Sequence, residues 1–292
     1  MRRNSPSSTL LIKLIQYFVY ILIGAALFGS LNVVQAAHAS GVSYQEYSRS
    51  QSLIHVVKIA ADSDRYITTR TSTKLQPLKS FLNNQEVAAI NGGYFDPNNQ
   101  QTTSFVINQN RLVEDPRLNS RLIDNPDVAV YLGKILNRAE FRRYQCDGKN
   151  VYDITPHRTY VPSECLLIDA LGAGPQLLPT DNSLAEGFTA YRNGKLVRNA
   201  IGGNTANARS AIGITPEGTV ILAMVEQKNP QGSGMSLEEL AVFLKQLGVT
   251  KAMNLDGGSS TSLYYRGTTY YGKLNKEGHQ VIRSLKSILV VQ

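Results

Sequence analysis

The stretch Thr250-Lys251-Ala252-Met253-Asn254-Leu255-Asp256-Gly257-Gly258-Ser259-Ser260-Thr261 is the most informative in the chain. Ala252, Met253 and Leu255 form a short buried strand that stops abruptly in Asn254, Asp256 and a glycine pair. Glycine admits positive φ or a close approach of backbone to a ligand, and Ser259, Ser260 and Thr261 add hydroxyls beside the freed N–H groups. Such an ending can hold an anionic oxygen on backbone donors while Asn254 and Asp256 project from a rigid strand end. It can equally be a tight turn whose Asp and Ser cap their own backbone.

The preceding residues favour a built site. Ser236-Leu237-Glu238-Glu239 is a capping box, with Ser at N-cap and Glu at N3. Leu237, Leu240, Ala241, Leu244 and Leu247 follow at helical spacing, and Gly248 stands at the C′ position. One amphipathic helix is therefore expected to pack back on a sheet and deliver the chain into the 252–256 strand. A group held that way is rigid, as a catalytic group must be.

A second strand ending repeats the pattern. Glu86 to Ile90 reads as a buried strand running into Asn91-Gly92-Gly93-Tyr94-Phe95-Asp96-Pro97. Further strands are expected over 53–59, 66–69, 104–107, 128–132, 140–144, 166–171, 196–201, 263–265 and 285–291, with a short helix over 78–82. Arg209 to Ile214 and Val220 to Val225 read as a hairpin turned at Pro216-Glu217-Gly218. Arg209 opens that hairpin at the mouth of a loop, where its planar fork suits phosphate or carboxylate; a surface salt bridge is the competing fate. Glu226 ends the second strand, and Arg283 and His279 stand just before the last one. Gly172-Ala173-Gly174-Pro175 is no dinucleotide fingerprint, because no helix with a third glycine follows.

The 292 residues, 42% hydrophobic and 18% charged, suffice for one large domain. Residues 1–39 stand apart from it. Arg2 and Arg3 precede an apolar run from Tyr17 to Phe28, and Ala37-His38-Ala39 supplies small residues, the pattern of a signal peptide cleaved after Ala39. The alternative is an uncleaved anchor, since Leu14 to Val34 is long enough to span a bilayer. Either way the remainder is exported: periplasmic, extracellular or anchored facing outward. Residues 40–50 read as a linker and 51–292 as the domain. Without the leader the net charge falls from +8 to +5, and no Lys/Arg run or aromatic–basic ladder argues for nucleic acid. Outside the cytoplasm Cys146 and Cys165 are best read as one disulfide, stapling an insertion over 145–165.

Ile90-Asn91-Gly92-Gly93-Tyr94-Phe95, Gly172-Ala173-Gly174-Pro175, Arg209-Ser210-Ala211-Ile212-Gly213, the Ser236 helix and Asn254-Leu255-Asp256-Gly257-Gly258-Ser259, in this order, resemble the phosphodiester glycosidase family. The resemblance runs from about residue 50 to the end. It implies an α+β fold: one mixed α/β domain with curved, largely antiparallel sheets and a few packed helices. It also implies a hydrolase that cleaves a sugar-1-phosphodiester, of the N-acetylglucosamine-1-phosphodiester kind, in exopolysaccharide or envelope glycan metabolism. Two departures stand out. Val225-Glu226-Gln227-Lys228 replaces a Val-Asp-Gly-Arg type segment, and Asp256-Gly257-Gly258-Ser259-Ser260 has one glycine fewer than the family's Asp-Gly-Gly-Gly-Ser.

The chemistry follows without the family. Breaking a glycosyl–phosphate bond develops oxocarbenium charge on the sugar, while phosphate is already a good leaving group. A strong general acid matters less than in ordinary glycoside hydrolysis, which commonly uses two carboxylates. The site needs a phosphate clamp and a carboxylate near the anomeric carbon or its water. Arg209 with the N–H groups of Gly92, Gly93, Gly257, Gly258 and Ser259 can clamp; Asp256 or Glu226 can supply the carboxylate. Asn91 and Asn254 would orient sugar hydroxyls or phosphate oxygens.

The expected partner is a sugar phosphate or envelope polysaccharide, with membrane contact only through an uncleaved 1–39 segment. No cofactor is expected; a divalent cation such as calcium near Asp256 has no ligand spacing to argue for it. The competing readings are a non-catalytic glycan- or envelope-binding module on the same scaffold, and a serine hydrolase using Ser259 or Ser260. Against the latter, Gly257-Gly258-Ser259-Ser260 is not Gly-x-Ser-x-Gly, and only His55, His157 and His279 follow the leader as bases.

Overall fold

The computed structural model describes residues 41–292; the leader or anchor expected over 1–39 lies outside them. Three antiparallel sheets and a hairpin carry the fold. The largest sheet runs in the order β1 (Val42–Ser48), β2 (Ser52–Ile59), β14 (Val220–Gln227), β13 (Arg209–Ile214), β15 (Lys251–Asn254), β10 (Gln176–Leu178). A five-stranded sheet orders β17 (Thr268–Tyr271), β16 (Ser262–Tyr265), β4 (Ala88–Asn91), β18 (Leu285–Val291), β3 (Ile67–Gln76). Another orders β6 (Arg111–Glu114), β5 (Val106–Asn108), β9 (Cys165–Gly172), β7 (Ala139–Cys146), β8 (Lys149–Pro156). Strands β11 (Thr189–Arg192) and β12 (Lys195–Asn199) pair alone. Helices are few and short: α1 (Ser120–Ile123), α2 (Leu132–Ile135) and α3 (Leu237–Gln246).

The sequence of β14 shows how the layers stack. A strand buried on one face alternates apolar and polar residues, whereas one covered on both faces is continuously apolar. Val220, Leu222 and Met224 join the core between the sheets, with Val57, Ile212, Met253 and Leu289. Ile221, Ala223 and Val225 point the other way, into a second core with Leu237, Leu240, Phe243 and Leu244 of α3. The capping box of α3 is complete: the Glu239 N–H donates to Ser236 Oγ (3.2 Å) and the Ser236 N–H to Glu239 Oε2 (2.8 Å). A 3₁₀ turn over Leu78–Phe81 covers the outer face of the β4/β18 sheet.

Two segments depart from expectation. The linker expected at 40–50 is instead β1, paired with β2 from Val42↔Ile59 to Ser48↔Leu53. The strand expected over 128–132 is helical, as a 3₁₀ turn over Ala129–Tyr131 followed by α2. There Asn125 Oδ1 accepts from the Asp127 N–H at 2.9 Å, a local turn that starts helical winding. Exposed Val130 finds no sheet to join. The span between the cysteines holds β8, paired with β7 along its whole length at the edge of its sheet.

Cys146 and Cys165 face one another across β7 and β9 and are disulfide-bonded. Cross-linking positions 19 apart removes loop-closure entropy from the unfolded chain. Replacing both by Ser is expected to cost about 3 kcal/mol, read as a lower urea midpoint with activity retained. Alkylation of the native protein should require prior reductant.

Candidate active site

The site is built at one end of the central strands of the largest sheet. Both β14 and β15 run antiparallel to β13, so Glu226 and Asp256 leave the sheet at the same end. Their backbones stand two strand spacings apart, on the order of 10 Å.

The end of β4 fixes Asp256. Ala88, Ala89 and Ile90 are wholly buried and carry the strand into the interior. Asn91 then reaches across to the neighbouring sheet. Its Nδ2 donates to the Asp256 carbonyl (2.6 Å), and its Oδ1 accepts from Ser210 Oγ (2.6 Å) and the Ser262 N–H (3.0 Å). The Asp256 N–H in turn donates to the Gly92 carbonyl at 3.0 Å. The Asp256 residue is thus gripped on both sides by two consecutive residues of another sheet. Asn91 is fully buried and orients Asp256, not a ligand.

Gly92 and Gly93 serve the same junction. A Cβ on Gly92 would lie 2.5 Å from Ser287 Oγ, and one on Gly93 2.3 Å from the Gly172 carbonyl oxygen. Their N–H groups are taken as well, by the Ser287 carbonyl (2.9 Å) and Ser287 Oγ (3.1 Å), which corrects the expectation that they join the phosphate clamp.

The Asp256 carboxyl is pushed up to about 6 by burial, against the opposing pull of the Ser260 hydroxyl, the Arg283 guanidinium and the Gly257 N–H. Desolvation disfavours the charged form of any carboxylate. At neutral pH it is therefore ionised, yet basic enough to accept a proton.

Asn254 is also buried. Its Nδ2 donates to Tyr94 Oη (2.8 Å) and the Gly174 carbonyl (3.3 Å), while its Oδ1 has no partner among the described residues. Tyr94 donates to the Gly174 carbonyl at 2.8 Å. Burial and the Asp256 charge push its phenol well above the usual range.

Arg209 stands elsewhere than expected. Its guanidinium donates to four backbone carbonyls: Met235 (3.0 Å), Ile201 (3.1 Å), Gly202 (2.7 Å) and Thr205 (2.8 Å). With five N–H donors available to an arginine, almost all are committed to holding the 201–205 loop against β13. Glu226 likewise has a protein partner: its Oε2 lies 2.9 Å from His55 Nε2 and its Oε1 accepts from Gln280 Nε2 at 3.3 Å. His55 Nδ1 faces Tyr44 Oη at 2.7 Å.

The Gly257–Ser260 turn keeps only part of the donor set expected of it, since the Gly257 N–H serves the Asp256 carboxyl and the Gly258 N–H is also taken within the protein. The Gly258 N–H donates to the Ala208 carbonyl at 2.9 Å, and Gly258 sits at φ +59, a conformation that favours glycine. The Ser259 N–H has no acceptor among the described residues. Arg283 donates from one Nη to Ser259 Oγ at 2.9 Å, with its guanidinium 5.2 Å from the Phe95 ring centre. Lys273 donates to Asn207 Oδ1 at 3.0 Å. Arg283 was visible in the sequence only as a charge before the last strand, Tyr94 only as part of the Asn91-Gly92-Gly93-Tyr94-Phe95 motif and His55 only as a candidate base, while Lys273 carried no local signal. Among the described residues no three His, Cys, Asp or Glu side chains cluster so as to hold a metal ion.

Comparison with known proteins places this scaffold in a class. The fold is shared with the zebrafish N-acetylglucosamine-1-phosphodiester alpha-N-acetylglucosaminidase catalytic domain, auto-inhibited by its pro-peptide (TM-score 0.60, 19% identity, 86% of this chain and 82% of that one). It is shared too with a hypothetical protein from Synechocystis (TM-score 0.56, 19% identity, 86% and 62% coverage). In sequence, 65 residues are 42% identical to the mouse N-acetylglucosamine-1-phosphodiester alpha-N-acetylglucosaminidase and 38% to the bovine one. The matched segment spans 22% of this chain and only 12% of those relatives. The profile of the phosphodiester glycosidases matches residues 84–292. The chain belongs to the phosphodiester glycosidase family.

Proposed function

We propose that this protein hydrolyses the glycosyl–phosphate bond of a sugar-1-phosphodiester, of the N-acetylglucosamine-1-phosphodiester kind, within exopolysaccharide or envelope glycan outside the cytoplasm. The observation that carries the reading is the Asp256 carboxyl, raised to about 6 and pinned through its own backbone by Asn91 and Gly92. The leader-like residues 1–39 and the disulfide support the compartment.

In the proposed reaction a water attacks the anomeric carbon and gives its proton to Asp256 as the C1–O bond to phosphate breaks. The bonding pair leaves with the phosphate, which departs as the monoester anion. A base is most effective when its pKa lies near the working pH, and burial brings Asp256 there. The test is a screen of the full chain against sugar-1-phosphodiesters, with p-nitrophenyl glycosides as uncharged controls. Turnover of the phosphodiesters alone is expected. Binding of glycan with no turnover of either class would support the non-catalytic module instead.

The pH profile gives a second test. Only the ionised carboxylate can accept the proton, so kcat/KM should fall about tenfold per pH unit below about 6. Above that it should level off. An activity flat from pH 4 to 8 would remove Asp256 as the base.

A further inference from the structure

The connection from β17 to β18 lies over the Gly257–Ser259 turn and is held at several points. The Gly272 N–H donates to the Thr261 carbonyl and the Gly272 carbonyl accepts from the Gln227 N–H, both at 2.9 Å. A Cβ on Gly272 would stand 2.4 Å from Thr261 Cγ2, so the chain enters the connection in direct contact with the site. The Leu274 N–H donates to Gln227 Oε1 (3.3 Å), and the Val281 N–H returns to the Lys273 carbonyl (2.8 Å). This fixed strap carries Lys273 at its start and Arg283 at its end.

We propose that Lys273 and Arg283 form the seat for the substrate's phosphate, with the Ser259 N–H as a third donor, and that Arg209 is a strut for the 201–205 loop. This deepens the reading above and rests on it. Neither cation is hydrogen-bonded to a carboxylate among the described residues; the Arg283 charge reaches the Asp256 carboxyl only through space. Lys273 uses one of its three donors, on Asn207, and Arg283 uses one of its five, on Ser259. Asn207 itself abuts the turn, since a Cβ on Gly258 would lie 3.7 Å from its Nδ2. The Phe95 ring beneath Arg283 holds the guanidinium by cation–π attraction without consuming a donor. Burial and the Arg209 charge both work against protonation of Lys273, the condition that a bound anion relieves. A point charge and a planar fork, both with spare donors, suit the non-bridging oxygens of a phosphodiester.

The test is calorimetric titration of the full chain with inorganic phosphate. Wild type should bind it, and Lys273→Met and Arg283→Met should each weaken it by about tenfold or more, the worth of one charge-assisted contact. Lys276→Met, an exposed lysine of the same strap, should bind as wild type and so controls for general loss of charge. Should Arg283→Met fail to fold by circular dichroism, Arg283→Lys replaces it; losing the fork should still weaken binding. Unchanged affinity in both the Lys273 and Arg283 variants overturns the seat, as does a wild type that binds no phosphate. Turnover separates the two readings. Lost phosphate binding in the variants, with no phosphodiester cleaved by wild type, keeps the seat and removes the hydrolase. Phosphodiester turnover with unaltered kcat/KM in both variants removes the seat and keeps the hydrolase.

Discussion

Asp256→Asn should lower kcat by about 10²–10⁴, the range for a positioned acid–base group, while making the protein more stable at pH 8. The first effect follows from removing the proton acceptor in a side chain of nearly unchanged shape. The second follows from linkage. The native carboxyl titrates at about 6, whereas the unfolded one titrates near ~3.9. Between these values the native state holds a proton that the unfolded state has released. The stability associated with this group is therefore fully present below about pH 4 and is lost as pH rises through about 6. Asparagine carries no charge to desolvate, so the variant should gain about 2–3 kcal/mol over wild type at pH 8 and little at pH 4. Urea melts at the two pH values read this directly. A variant that is inactive and equally destabilised at both would make Asp256 a structural residue. Glu226→Gln, which disturbs only the His55 pairing and the Gln280 contact, should leave most activity. If it is dead while Asp256→Asn is nearly wild type, the carboxylate role moves to Glu226.

The other large effect is on the fold. Arg209 is buried, and Arg209→Met takes its guanidinium away from four backbone carbonyls, of which Met235 and Gly202 keep a second donor and Ile201 and Thr205 are left without this one. Buried polar groups left without partners cost far more than the hydrogen bonds themselves are worth. A loss of about 2–4 kcal/mol is expected, from one or two acceptors left unsatisfied at about 1–3 kcal/mol each. The Ile201–Thr205 loop should become protease-sensitive at the same time. Arg209→Lys keeps one or two of these contacts and should fall between. A stable, fully folded Arg209→Lys that loses activity only on phosphodiesters would return Arg209 to the role of clamp.

These expectations reverse part of what residue type alone implies, and the reversal has a physical origin. Helix α3, the β13–β14 hairpin and the endings of β4 and β15 depend on periodicity, capping and turn residues a few positions apart. All of that is written locally, and the order of the motifs already pointed to the family. The carboxylate at the end of β15 was legible for the same reason: a buried strand followed by Asp-Gly-Gly can be recognised without knowing its neighbours.

Donor and acceptor commitments are not local. Asn91 meets Asp256 across 165 positions and Ser210 across 119, and Arg209 finds the Met235 carbonyl 26 residues on. The sequence fixes that Arg209 has five donors and Lys273 three, but which carbonyls come within reach depends on how the sheets stack. An arginine at a glycine-rich strand end therefore looks like a phosphate clamp until the 201–205 loop closes on it. Lys273 and Arg283, in a segment without strong periodicity, gain their interest only when β17 and β18 bring both ends of their connection to the Gly257–Ser259 turn.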